Sequence, residues 1–461
     1  MKKKVLVAVG IVVLVVVAFP ISNSLRARAA DPALLERLAD PEAREMATRY
    51  AESCMDCHSG RTELPFYASW PVARSLMQGH IEKARSMFDM DRELFDPVVG
   101  VTEAALAKIE RETAAGEMPL ASYTAMHWRA RWTAEDQQAQ AAWARHVRAR
   151  RDGAEDLDDP IYDHPIYPLK RLGGLDDRKV ALGEAMYHDV RLSGDDTISC
   201  ASCHDLTKGG TDQERVSTGV GGQKGGINAP TTFNAVYNLA QFWNGRAADL
   251  AAQADGPPNN PIEMATNWEQ VLGKLRQDPQ VVEGFAAAYG DLSPEAIRDA
   301  IAVYEATLVT PNDGLDRFLR SDGSALTAEQ QRGWQLFNDV GCSTCHVGPA
   351  MGGTSYEKMG LHGNYMADRG DESDADLGRY AVTGDEHDMA HFKVPTLRNV
   401  ALTYPYYHDG AVDSLDQAVR KMGHYERGRE LTDDEVAAIV ALLGALTGEL
   451  PAPPVAGGEG S

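Results

Sequence analysis

The chain of 461 residues is long enough for about three domains of ordinary size, and its 43% hydrophobic content supplies apolar material for real cores. The formal net charge of −23 comes with no basic face or stripe, which argues against a nucleic-acid partner. It suits a soluble, self-repelling surface and a basic redox partner.

The chain begins with three lysines ahead of an apolar run from Val5 to Phe19, and Ala27-Arg28-Ala29 offers a cleavage site. That is the plan of an export signal. The run is near the short limit for spanning a bilayer, and Arg26 and Arg28 crowd the cleavage site. A cleaved signal and an uncleaved membrane anchor both stand, and either places the protein in the periplasm.

Helix signals dominate the rest and strand signals are sparse, so an all-α chain is expected. "PEAREMATRYAESCMDCH" runs a helix into Cys54-x-x-Cys57-His58. Thr133-x-x-Asp136 is a capping box opening another helix. The acidic, proline-containing stretch Arg150 to Leu169 reads as a linker. "RKVALGEAMYHDVRLSGDDTISCASCH" again leads a helix into Cys200-x-x-Cys203-His204, with a short insertion. Ser293-Pro294-Glu295 starts a later helix, and Thr310 to Ala325 separates the next unit. Thr327-x-x-Gln330 caps a helix that runs into Cys342-x-x-Cys345-His346, and Thr432-x-x-Glu435 caps the last helix.

One unit, a helix ending in C-x-x-C-H, therefore occurs three times. We expect residues 1–30 as signal or anchor and 31–152 as a first haem domain. A linker at 153–168, two further cytochrome c-like domains at 169–318 and 319–450, and a disordered tail at 451–461 complete the expectation.

All six cysteines fall in these three motifs. Two thiols three residues apart can add to the two vinyl groups of one haem, and the adjacent histidine can reach its iron. Disulfides are the alternative in an oxidising compartment, but they do not account for a histidine after every pair. The expectation is a c-type cytochrome with three covalently bound haem c groups and His58, His204 and His346 as proximal ligands.

Residues 165–447 resemble the bacterial dihaem cytochrome c peroxidases across both haem domains of that family. The matching pieces include "LGEAMYHDVRLS", "CASCH", "INAPTTFNAVYNLAQFWNGRAADLAAQADGP", "NPIEM", "CSTCH" and "FKVPTLRNVALTYPYYHDG". The resemblance implies that the last two domains pack as a dihaem peroxidase. It makes Met422 the distal ligand of the electron-transferring haem and sets Trp243 between the two haems. It puts Gln253 and Glu263 in the peroxide pocket of the haem of His204, and gives Asn228, Thr403 and Pro405 to an interdomain Ca2+. Asparagine and carbonyl oxygens are hard donors that suit that ion. A carboxylate such as Glu263 can also take a proton from peroxide and return it, whatever the family. His408 can be read simply as a structural residue that ties its loop to a haem propionate.

Residues 40–150 are similar to the small haem-binding domain found alone or fused to such peroxidases. There Met118, in Gly-Glu-Met-Pro, is the preferred distal ligand, with His80 and His127 as competitors.

One stretch departs from the family's commonest pattern. "RVSTGVGGQKGGINAPTTF", Arg215 to Phe233, holds five glycines in Gly219 to Gly226. Many members carry there a histidine that caps the peroxidatic iron, and Val220 replaces it. An isopropyl group cannot ligate iron, so the resemblance implies an open or water-bound peroxidatic haem unless a displaced ligand such as His188 serves.

The implied reaction is reduction of hydrogen peroxide to water. Electrons would come from a small cytochrome c, a cupredoxin or membrane quinol, by way of the N-terminal and C-terminal haems. A homodimer is compatible with the family. The alternatives are oxidation of tryptophans in a partner protein, as one relative does, and a non-catalytic electron carrier.

Overall fold

The computed structural model describes residues 20–23, 25, 28–97 and 100–450. The Val5–Phe19 run and the tail at 451–461 lie outside the described residues. Among the described residues, no helix is long and apolar enough to cross a membrane. Two compact units divide between Pro165 and Ile166.

In the first unit, α1 (Pro41–Ser53), α2 (Pro71–Met87), α3 (Glu103–Ala114) and α4 (Ala134–Arg151) are the longer helices. The Thr133 capping box forms as its spacing predicts, each partner of the Thr133–Asp136 pair accepting from the other's backbone N–H. Tyr50, Met55 and Trp143 pack in the core. Buried Arg148 of α4 holds Glu103 at 2.6 Å and also pairs with Glu110. Its guanidinium donates to the Tyr162 carbonyl at 3.2 Å, so part of the stretch expected as a linker packs on this unit.

The second unit repeats one device. α5 (Asp177–Tyr187), ahead of the second haem motif, crosses α6 (Pro294–Glu305); α7 (Ala328–Asp339), ahead of the third, crosses α9 (Asp433–Gly444). Each crossing needs a glycine. A Cβ on Gly183 would sit 1.9 Å from the Ala300 carbonyl oxygen, and one on Gly333 would sit 2.0 Å from that of Ala438. Such contacts are impossible for any side chain, so the helix backbones touch only because Gly is there. The capping boxes at Thr327 and Thr432 form. The helix α8 (Leu415–Arg427) precedes α9, and the strands β1 (Tyr356–Lys358) and β2 (His391–Lys393) pair antiparallel.

A buried triad secures this unit. Arg398, Asp313 and Asp316 are each 0–1% exposed; Arg398 pairs with Asp313 and lies 2.8 Å from Asp316. Its Nε–H also donates to the Pro349 carbonyl at 2.9 Å. Removing the guanidinium leaves two carboxylates buried without their cation. We expect Arg398→Met to destabilise the second unit by about 3–5 kcal/mol, read from denaturant unfolding.

Candidate functional site

The six cysteines of the three motifs are all half-buried. The two motifs of the second unit each open onto a large cavity. One, with about 1320 Å3 of open space, is lined by Cys200, Cys203 and His204. The other, about 1180 Å3, has Cys342 and His346 on one wall and Met422 of α8 among its lining. These residues fit haem c: Cys200, Cys203 and His204 line one cavity, and Cys342 and His346 with Met422 line the other. Burial pulls the His346 pKa down to about 4 and lowers that of His204, keeping both rings neutral and able to ligate. His346 Nδ1 lies 3.3 Å from the Met351 carbonyl oxygen. In the first unit His58 Nδ1 lies 2.9 Å from that of Phe88. A backbone carbonyl on Nδ1, the usual outer contact of a ligating histidine, orients the ring and leaves Nε2 to ligate.

Gln253 and Glu263 both line the cavity of His204. Gln253 comes from the short helix Leu250–Ala254, which Asp249 caps. Glu263 accepts a 2.7 Å hydrogen bond from the Asn260 amide. Burial raises its pKa above the ordinary carboxylate value, against the opposing pulls of that hydrogen bond and of Arg246. A carboxyl placed this way can hold or release a proton inside the cavity.

The glycine-rich loop abuts Glu263. Val220 N–H donates to the Glu263 carbonyl at 2.8 Å, and the Gln223 amide donates to that of Pro261 at 2.9 Å. Gly221 and Gly222 are left-handed, with φ of 69° and 79°. Gly219, Gly225 and Gly226 line the cavity itself. His188 is exposed and is not among the lining residues.

Trp243 lines both cavities. Its indole N–H donates to the Asn228 carbonyl at 2.9 Å, and its own carbonyl accepts from the backbone of Lys393 on β2 at 2.8 Å. Asn228 N–H in turn donates to the His408 carbonyl at 2.8 Å. Asn228, Thr403 and Pro405 share one cavity. The Asn228 amide nitrogen donates to the Glu214 carbonyl at 3.0 Å.

His408 is held by protein partners. Its Nε2 lies 2.7 Å from Asp376, a carboxylate that Arg369 also holds at 2.8 Å. The ring stacks on Phe392 at 4.3 Å.

In the first unit Met118 is half-buried after α3, and His80 is exposed on α2. His127 is taken up by other side chains: its Nε2 lies 2.5 Å from the Tyr67 hydroxyl and its ring stacks on Tyr123 at 4.2 Å.

A family model described as di-haem cytochrome c peroxidase matches residues 177–324, and one described as a haem-binding domain matches 11–146. The chain is 44% identical over 401 residues to the cytochrome c peroxidase Ccp of Escherichia coli (strain K12), covering 86% of each protein. It is 45% identical over 291 residues to the cytochrome c551 peroxidase of Nitrosomonas europaea, covering 63% of this chain and 86% of that one. The chain belongs to the di-haem cytochrome c peroxidase family. As a member it carries covalently bound haem c. A crystal structure of a MauG-like protein associated with microbial copper homeostasis shares 29% identity and a TM-score of 0.55, covering 64% of this chain and 96% of that one.

Three residues of this peroxidase-family site escape sequence reasoning. Arg246 lines the cavity of Glu263, with its guanidinium carbon 3.3 Å from the centre of the Phe242 ring. Its place beside Trp243 was the one available signal. Lys393 is a charged residue between Phe392 and Val394, which marks it as unusual. Asp376 carries no signal at all.

Proposed function

We propose that this chain is a c-type haem peroxidase that reduces hydrogen peroxide to water with two electrons from a redox donor and two protons. The observation that carries this reading is the single cavity that holds Cys200, Cys203 and His204 together with Gln253 and Glu263. When bound, the haem iron supplies the electrons and the Lewis-acid position for peroxide. Glu263 accepts the proton of the inner oxygen and returns it to the outer one, so that water leaves. Gln253 orients the peroxide by hydrogen bonding. The Asn260 amide, 2.7 Å from Glu263, holds the carboxylate's orientation.

The finer reading assigns three haems to the three motifs, Met422 and Met118 as distal ligands, and Ca2+ to Asn228, Thr403 and Pro405. The donor is a small cytochrome c, a cupredoxin or membrane quinol, and the N-terminal pattern supports a periplasmic location. With Val220 in the loop, the peroxidatic iron is open at rest.

Electron paramagnetic resonance of the fully oxidised protein tests this. A high-spin haem signal, and peroxide turnover without pre-reduction, are expected. Three low-spin signals would overturn the open site.

A further inference from the structure

Lys393 sits on β2, where its backbone N–H holds the Trp243 carbonyl. Its side chain is only 6% exposed and lines the cavity of His346 and Met422. Much of the surrounding wall is apolar, with Phe337, Val400, Leu443 and Ile439 among it. Among the described residues no carboxylate pairs with its ammonium, and burial alone acts on it, pulling its pKa down to about 8. The contrast lies in the same unit. Buried Arg398 is paired with two aspartates, and cavity-lining Arg246 is stacked on Phe242 and feels Glu263.

A buried cation without an anion costs several kcal/mol, so such groups are kept only where a counter-charge arrives. The two carboxylates of a haem are anions that come with the group this cavity fits. We propose that Lys393 is the counter-ion of a propionate of the haem attached through Cys342 and Cys345, and that its charge holds that haem's potential up. Reduction adds a negative charge to the haem. A propionate left unneutralised opposes that charge, and a neighbouring ammonium removes the opposition. Lys393 is thus a positioning and tuning residue for the electron-transferring haem. Through its backbone it is tied to Trp243.

The inference rests on the reading that Cys342 and Cys345 carry haem. Pyridine haemochrome counting on the full chain, with and without Cys342→Ala and Cys345→Ala, tests that reading separately. The inference itself is tested by spectroelectrochemical titration of the holoprotein. Lys393→Gln is expected to shift the reduction equilibrium of that haem about tenfold towards the oxidised form, about 59 mV for one electron. Lys393→Arg keeps the charge and is expected to stay near the parent potential. An unchanged potential in the Gln variant, or equal shifts in both variants, would overturn the assignment. A parent potential that follows chloride concentration would also overturn it, because the cation would then be serving a dissolved anion. If the Gln variant does not accumulate with haem, resonance Raman of the parent and the Arg variant decides. A propionate bending band displaced from its water-exposed position supports the contact, and one at that position refutes it.

Discussion

Glu263→Gln is expected to slow peroxide turnover by about 10²- to 10⁴-fold, the range that a positioned proton-transfer group supplies. The amide keeps the shape of the side chain and can still meet its neighbours, but it cannot accept the proton. Haem content and the visible spectra should stay at parental values, because Glu263 belongs to none of the three attachment motifs. The pH profile adds a second readout. Burial holds the Glu263 carboxyl above its ordinary pKa, so the proton-accepting form appears only as pH rises through that raised value. The acid limb of kcat/KM should therefore lie above the ordinary carboxylate range, and it should vanish from the residual activity of the Gln variant. Unchanged turnover in Glu263→Gln would remove the carboxylate from the reaction.

Gly219→Ala is expected to lose about 10²-fold in kcat/KM, although residue 219 has no chemistry of its own. The added Cβ would lie 2.2 Å from the Ile262 carbonyl oxygen, 2.5 Å from that of Glu263 and 2.8 Å from the Glu263 Cα. These are backbone atoms, so the clash is relieved only by moving the segment that carries the carboxylate. A displacement of about 1 Å at a reacting group is enough for a loss of this size. The backbone at Gly219 has φ −96°, a value any residue adopts, so the effect is one of packing. Steady-state kinetics on both single variants and the double variant test the idea. The two losses should fall short of additive, as they do for groups acting through one another. A Gly219→Ala protein with full haem content and parental kcat/KM would show that the loop does not position Glu263.

What was readable in advance follows the range of the interactions concerned. The helices before each haem motif, and the capping boxes at Thr133, Thr327 and Thr432, were readable because a cap links residues three apart, as Thr133 and Asp136 do. His408 shows the opposite case. The residue type alone allows it a structural role in its loop, but its Nε2 meets Asp376, 32 residues away in the chain. Nothing in the sequence around Asp376 announces that partner. Trp243 is set between two haems by resemblance alone; the hydrogen bonds that hold it, to Asn228 and to Lys393 of β2, are not readable. The glycine-rich stretch was readable as a loop without an iron ligand, but its contact with Glu263 was not, because that contact joins two irregular segments with no periodicity to read.

By itself, the sequence determined the attachment chemistry. A pair of cysteines at this spacing followed by histidine specifies covalent haem, because thioether formation and proximal ligation are decided within five consecutive residues. The tertiary structure decided which polar groups face each cavity: Glu263 and Arg246 in one, Lys393 in the other. The charge left at a buried site depends on which partners the packing of remote segments brings within reach, and local sequence does not contain that information.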